Sequence, residues 1–442
     1  MIEEPIRSVQ GTEDLLPGQW GHWRRLSAAA RRVFELYGYG EIRTPVFERT
    51  PLFVKGTGET TDIVQKQMYS IPTGEDESIT LRPEGTPPVL RAYLEHNLHK
   101  QEPFQKLYYI GPMFRRERPQ KGRLRQFHQL GVEVVGSDSP LVDAETIILA
   151  AAVYREVGLK GFEVWVNSIG CAACRPAFRD AIREVLRARL DELCGDCRNR
   201  LDRNVLRVLD CKNEGCRQVV ADLPVMAEFL CAPCAEHYGA MKSALAEAGV
   251  EFGEDPHLVR GLDYYTRTVY EIKHAGLGAR DTICGGGRYD DLVELLGGPH
   301  VPCVGFAMGA EATILAMESE LGPAEDSAVQ AHAYVVHFGD DTRTLAECFA
   351  LVQELRGAGI VAAMDFEGRS GKAQMRAANK LGAALCLLIG SNELERGEVT
   401  LKDMADGRQW AVPRGRAAAE VTGFAGLDAG DPDAEASGTD LI

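Results

Sequence analysis

The feature that most constrains this chain is a pair of strand-like segments, 106–110 and 127–135, separated by a loop dense in arginine. Side chains on a strand alternate between its two faces. That alternation sets Arg125, Phe127, Gln129, Gly131 and Glu133 on one face of the second segment and His128, Leu130, Val132 and Val134 on the other. The first face is polar and aromatic, the second largely apolar. A core strand seldom gives one face to Arg, Gln and Glu unless that face holds a ligand, although an edge or solvent-facing strand would carry the same pattern. Between Met113 and Arg125 lie Arg115, Arg116, Arg118, Lys121, Arg123 and Arg125 against the single acid Glu117. The whole chain has 49 Lys and Arg against 65 Asp and Glu, a formal charge of −16. Its long-range field repels polyanions, so a basic hairpin on it points to an anion bound locally.

Around the hairpin the sequence divides. At 442 residues it is long enough for two to four domains. Its 45% hydrophobic and 26% charged content is that of a folded globular protein. The longest apolar stretches, 147–154 and 383–389, fall far short of the ~20 residues a membrane span needs. The acidic, polar start does not read as a signal peptide. We therefore expect a cytoplasmic protein with no membrane partner. Residues 1–325 form one expected domain, interrupted at 167–249 by a mostly helical block that holds eight of the twelve cysteines. From 326 to 416 the pattern alternates: strand 333–338, a helix with Leu345, Phe349, Val352 and Leu355 on its apolar side, strand 360–366, helix 371–381 and strand 385–389. This order predicts a small, separate α/β domain. Residues 417–442, mostly Ala, Gly, Asp, Glu and Thr, are expected to be a disordered acidic tail.

The segment Phe114-Arg115-Arg116-Glu117, the loop, and Arg123 to Phe127 together resemble motif 2 of the class II aminoacyl-tRNA synthetases. Arg82-Pro83-Glu84-Gly85-Thr86, the run from Gly111 to Gly122, Arg260 with Tyr264 and Tyr265, and Gly286-Gly287-Arg288-Tyr289 are similar to the histidyl-tRNA synthetase family in particular. The likeness runs from Gly11 to about Val412. It implies an α+β fold: a class II catalytic domain on an antiparallel sheet with a helical Cys-rich insertion, then an α/β anticodon-binding domain. It also implies ATP-dependent activation of histidine, with Mg2+, to histidyl-adenylate, followed by transfer to tRNA(His). In the resemblance Arg115 and Arg260 are the catalytic cations on the carboxylate and α-phosphate. Glu84, Gly85, Thr86 and Gln129 hold the histidine amino group and carboxylate. Glu133 and Tyr265, with Tyr264 beside them, partner the two imidazole nitrogens, and a pocket with a partner for each rejects apolar isosteres. Glu117 accepts from the adenine amino group, Phe127 stacks on the ring and Arg123 reaches the outer phosphates. Arg118, Gln120 and Lys121 at the loop tip face the tRNA acceptor end. Gly38 to Pro45 resembles motif 1, which implies a homodimer. The triple glycine 285–287 is expected to let backbone approach the ligand closely.

Two features stand apart. The class carries an arginine in motif 3 that covers adenine and touches the γ-phosphate, and in Gly309-Ala310-Glu311-Ala312 the alanine occupies its place. Another cation is then required, and Arg267 and Arg288 are the sequence candidates. Cys171, Cys174, Cys194, Cys197, Cys211, Cys216, Cys231 and Cys234 form three Cx2C pairs and one wider pair, enough for two structural zinc sites of four thiolates each. Spacing alone leaves open which pairs share an ion, and reduced packing cysteines are the other reading. Ala312 also keeps open a silent relative that binds histidine, of the kind that regulates ATP phosphoribosyltransferase. A generic RNA-binding protein would account for the basic loop but not for the residues of the histidine pocket.

Overall fold

The computed structural model describes residues 6–74, 77–118, 122–278, 281–324 and 331–425. The chain forms two compact units, Met1–Glu325 and Asp326–Ile442.

An eight-stranded sheet organises the first unit. In spatial order its strands are Gly40–Glu41, Gln105–Phe114, Gln126–Val135, Cys303–Gly309, Thr282–Arg288, Thr266–His274, Phe162–Ser168 and Gly253–Glu254. The six central strands are antiparallel, and each two-residue edge strand pairs in parallel. Tyr108, Leu130, Val132, Val134, Val166, Ile272 and Phe306 line one face. They pack into a single core with the helices Gly21–Leu36, Pro140–Glu156, Ala232–Glu247 and Ala310–Leu321. The alternation read from residues 127–135 therefore holds, and the opposite face is left to carry the site. The first strand runs to Phe114, past the expected end at Ile110. Pro112, which cannot donate to a ladder, is accommodated because the edge strand beside it pairs only as far as Tyr108. Its carbonyl accepts from Arg82 Nε at 2.9 Å, and Arg82 also donates to the Thr44 carbonyl at 2.9 Å.

The cysteine-rich insertion has its own core, running from Cys174 to Cys234 and including Phe178, Ile182, Leu201, Val208 and Val219. It is narrower than the expected 167–249. Asn167 and Ser168 end a strand of the main sheet, and Tyr238, Met241 and Leu245 pack into the main core.

In the second unit a five-stranded sheet runs Ala362–Met364, Ala333–Phe338, Leu385–Gly390, Glu398–Asp403 and Gln409–Pro413. The first three strands are parallel and the last two antiparallel. Helix Thr342–Gly357 buries Cys348, Leu351, Val352 and Leu355, whereas Phe349, one step of about 100° away, points outward and is 51% exposed. The expected strand 360–366 shortens to Ala362–Met364 because the Asp365 carboxylate accepts the backbone N–H groups of Glu367 and Arg369 and closes a turn. The expected tail begins too early. Ala417–Ala425 is a helix whose Ala417 and Val421, four residues apart, are buried against the sheet. Residues 426–442 lie outside the described part.

Candidate active site

On the open face of the large sheet, the strand Gln126–Val135 presents Gln129, Gly131 and Glu133 toward residues 84–86, which lead into helix Thr86–Glu95. Glycine is required at two of these positions by a close approach. A Cβ on Gly85 or on Gly131 would lie 2.2 or 2.3 Å from Cζ of Tyr109, whose ring fills the space between them. Two buried carboxylates converge here. Glu133 accepts from the Thr86 hydroxyl at 2.7 Å and from the Tyr289 hydroxyl. Glu84 accepts from Thr57 at 2.5 Å and from Tyr264 at 2.8 Å. The rings of Tyr264, Tyr265 and Tyr289 form one cluster with centroids 4.7, 5.5 and 6.3 Å apart. Gln129 Oε1 is buried without a hydrogen-bond partner among the described residues, an acceptor available to an ammonium group.

Burial raises both carboxyls, because an ion loses its hydration there. Glu133 reaches about 8, with its hydrogen bonds from Tyr289 and Thr86 opposing the rise and the nearby Glu84 adding to it. Glu84 is raised by burial, against hydrogen bonds from Thr57 and Tyr264 and the Arg115 charge. The pocket thus pairs a carboxyl that can donate a hydrogen bond near neutral pH with aromatic walls. That combination suits a ring carrying both a donor and an acceptor nitrogen.

Two arginines adjoin it. Arg115 donates from Nε to the Pro83 carbonyl at 2.9 Å and lies 5.1 Å from the Phe127 ring centroid. Arg260 pairs with Glu271, and Glu271 also accepts from Thr282 at 3.2 Å. Strand pairing sets Glu271 opposite Gly285, where a Cβ would lie 2.0 Å from the Arg260 guanidinium. Within the glycine run, Gly285 makes room for the Arg260 guanidinium, and Gly287 for the Thr268 carbonyl and the Tyr265 ring. Buried Glu117 pairs with Arg123. Arg123, Ala312, Thr282 and Ser319 line a cavity of about 900 Å³. Neither sequence candidate for the missing motif 3 cation lines it. Arg288 is fully buried in ion pairs with Asp143 and Asp290, and Arg267 donates to His237 at 3.4 Å. Of the loop-tip residues, Arg118 is exposed, while Gln120 and Lys121 lie outside the described part.

Residues 11–313 match the family described as histidyl-tRNA synthetase, and residues 332–423 match the anticodon binding domain. The chain belongs to the histidyl-tRNA synthetase family. It is 48% identical over 408 residues to a histidine–tRNA ligase of Desulfitobacterium hafniense, covering 92% of this chain and 96% of that one. It is 45% identical over 404 residues to that of Geobacter metallireducens, covering 91% and 96%. The apo histidyl-tRNA synthetase of S. aureus superposes with a TM-score of 0.78 at 35% identity, over 94% of this chain and all of that one.

The chain brings Glu84, Gly85, Thr86, Gln129, Glu133, Tyr264 and Tyr265 together, with Arg115 and Arg260 beside them. Sequence reasoning missed Thr57 and Tyr109, and it quoted Tyr289 without giving it a role. The only signal for Tyr289 was its place after Gly287-Arg288. It also missed the arginines 175, 179 and 183, at four-residue spacing on one helix, which line a cavity of about 210 Å³ beside Arg260 and Tyr265. The eight insertion cysteines gather as two clusters, Cys171, Cys174, Cys231 and Cys234, and Cys194, Cys197, Cys211 and Cys216. All are free thiols, and within each cluster the sulfurs lie within 4.8 Å of one another. Four thiolates at about 2.3 Å from a tetrahedral zinc stand roughly 3.8 Å apart. The observed sulfur contacts run from 3.2 Å between Cys174 and Cys231 to 3.9 Å between Cys171 and Cys231 and between Cys194 and Cys211, close enough for one ion to draw each set together. The pairs nest, outer with outer and inner with inner.

Proposed function

We propose that this chain, a histidine–tRNA ligase, binds histidine between Glu84, Glu133 and the tyrosine cluster, activates it with ATP beside Arg115 and Arg260, and transfers it to tRNA(His). The observation that carries the reading is the convergence of two buried carboxyls, three tyrosine rings and an unpartnered Gln129 oxygen next to two arginines. Gln129, Glu84 and Thr86 orient the amino end, while Glu133 and Tyr265 bracket the imidazole. The histidine carboxylate oxygen attacks the α-phosphorus of ATP and pyrophosphate leaves. A ribose hydroxyl of the tRNA 3′ end then attacks the acyl carbon and AMP leaves. Arg260, aligned by Glu271, supplies fixed positive charge where charge builds on the α-phosphate, and Arg115 holds the reacting oxygens. Mg2+ entering with ATP would add to the neutralisation of its phosphates. Phe127 and Glu117 hold adenine by stacking and hydrogen bonding, and Arg118, Gln120 and Lys121 meet the acceptor end.

Each cysteine cluster holds a structural zinc ion that fixes the insertion. The working form is a homodimer, supported by the motif 1 likeness and by the exposed Val46, Phe47 and Ile71 on and beside the three-stranded sheet of Phe47–Arg49, Ser78–Leu81 and Tyr69–Pro72. Among the described residues no helix is long and apolar enough to cross a membrane, and the translation role of the family's members supports a cytoplasmic location. Charging of tRNA(His) with radiolabelled histidine tests the reading: label is expected on tRNA(His) and on no other tRNA. Failure to charge by a preparation that binds histidine would favour the silent regulatory alternative.

A further inference from the structure

The nucleotide cavity has lost its motif 3 arginine to Ala312, yet a triphosphate needs compensating charge along its length. Among its described lining residues only Arg123 and Lys212 are cationic. Arg123 is paired with Glu117. Lys212 comes from the insertion, about a hundred residues away in sequence from Ala312. Its side chain is exposed and makes no hydrogen bond or ion pair among the described residues. It also lines the adjoining cavity of about 610 Å³ with Glu271, the partner of Arg260. Its backbone is held on both sides. Cys211 belongs to the inner cysteine cluster, and the Asn213 side chain caps the next helix by accepting from Gly215 N at 3.1 Å and Cys216 N at 3.5 Å.

We propose that Lys212, held between the Cys194–Cys197–Cys211–Cys216 cluster and the Asn213 helix cap, supplies the outer phosphates of ATP with the cation that Ala312 lacks. This rests on the reading of the cavity as the ATP site. The ammonium is a compact charge with three donors on a flexible stem, suited to phosphate oxygens. Unlike an arginine it offers no plane to cover adenine. The substitution therefore separates the two tasks of motif 3, keeping the phosphate contact and dropping the stacking one.

The test compares Lys212→Ala, Lys212→Arg and the double variant Lys212→Ala with Ala312→Arg. The readouts are histidine-dependent ATP–pyrophosphate exchange and equilibrium binding of ATP and AMP. Lys212→Ala is expected to raise the KM and Kd for ATP by about ten- to hundredfold while leaving the affinity for AMP and the KM for histidine within twofold. Lys212→Arg retains the affinity for ATP, and the double variant recovers it. Equal ATP parameters in Lys212→Ala and the unsubstituted protein overturn the proposal. Equal weakening of AMP and ATP also overturns it, since a merely structural role predicts that pattern. Absence of exchange in the unsubstituted protein is a different failure, because it removes the ATP reading on which the proposal stands.

Discussion

The two halves of the site are built differently. In the pocket proposed for histidine the carboxyls are buried and their hydrogen bonds come from the same sheet and neighbouring segments: Thr57, Thr86, Tyr264 and Tyr289 all reach Glu84 or Glu133. In the cavity proposed for the nucleotide the space is large, Arg123 and Lys212 are exposed, and one of the two cations among its described lining residues comes from the insertion. Recognition of a small amino acid by shape and hydrogen bonds needs preorganised, dry groups. A flexible triphosphate can be met by charges on mobile stems. The first kind of site tolerates little change, whereas the second can exchange one cation for another from elsewhere in the fold.

Removing metal sharpens this contrast most. Thiolate zinc sites contribute on the order of 10 kcal/mol to the folding of small domains. Chelation should therefore abolish protection from hydrogen exchange in the insertion helices and raise the KM for ATP, while equilibrium dialysis finds histidine binding retained. Metal analysis of the untreated protein should return two zinc ions per chain. Next in size, Glu133→Ala should raise the KM for histidine by about a hundredfold or more, since it leaves Thr86 and Tyr289 hydroxyls unpaired in a buried pocket. Steady-state exchange should find the KM for ATP unchanged. A comparable rise in the ATP value would break the division into two halves.

Ala312→Arg should have a smaller effect, in the opposite direction. It adds an adenine-covering plane worth roughly 0.5–2 kcal/mol, so AMP binding by calorimetry should tighten about twofold to thirtyfold with histidine binding unaltered. A separate effect concerns pH. Glu133 is held up to about 8 in the folded chain, against an ordinary carboxyl of 4.5. The folded state therefore holds a proton that the unfolded state releases between these values, and this contribution to stability, complete below 4.5, is lost as pH rises through 8. The slope cannot exceed about 1.4 kcal/mol per pH unit. Urea denaturation of Glu133→Gln at pH 5.5, 7 and 8.5 should show a flatter profile than the unsubstituted protein.

The sequence was most informative where structure repeats at short range. Alternation along residues 127–135 assigned Gln129, Gly131 and Glu133 to one face and Leu130, Val132 and Val134 to the core, as observed. Motif 2 likewise placed Arg115 and Phe127, which stack on each other. What it did not show depends on distant parts of the chain meeting. Tyr264 reaches Glu84 across 180 positions, and no local pattern encodes that contact. Arg288 looks like a ligand cation in sequence, but the fold surrounds it with Asp143 and Asp290. The nesting of the cysteine pairs was hidden because CAAC, CGDC and CAPC share one spacing, so only the path of the intervening helices decides which thiols meet. Lys212 carried no signal at all until the insertion was placed beside the sheet.

The account as a whole turns on adenylate formation without a motif 3 arginine. Histidine-dependent ATP–pyrophosphate exchange, run on the unsubstituted protein and on Arg260→Ala, tests it most directly. We predict robust exchange that falls by about a hundredfold to a thousandfold when the Arg260 charge is removed. Measurable histidine binding with no exchange, or exchange indifferent to Arg260, would contradict it.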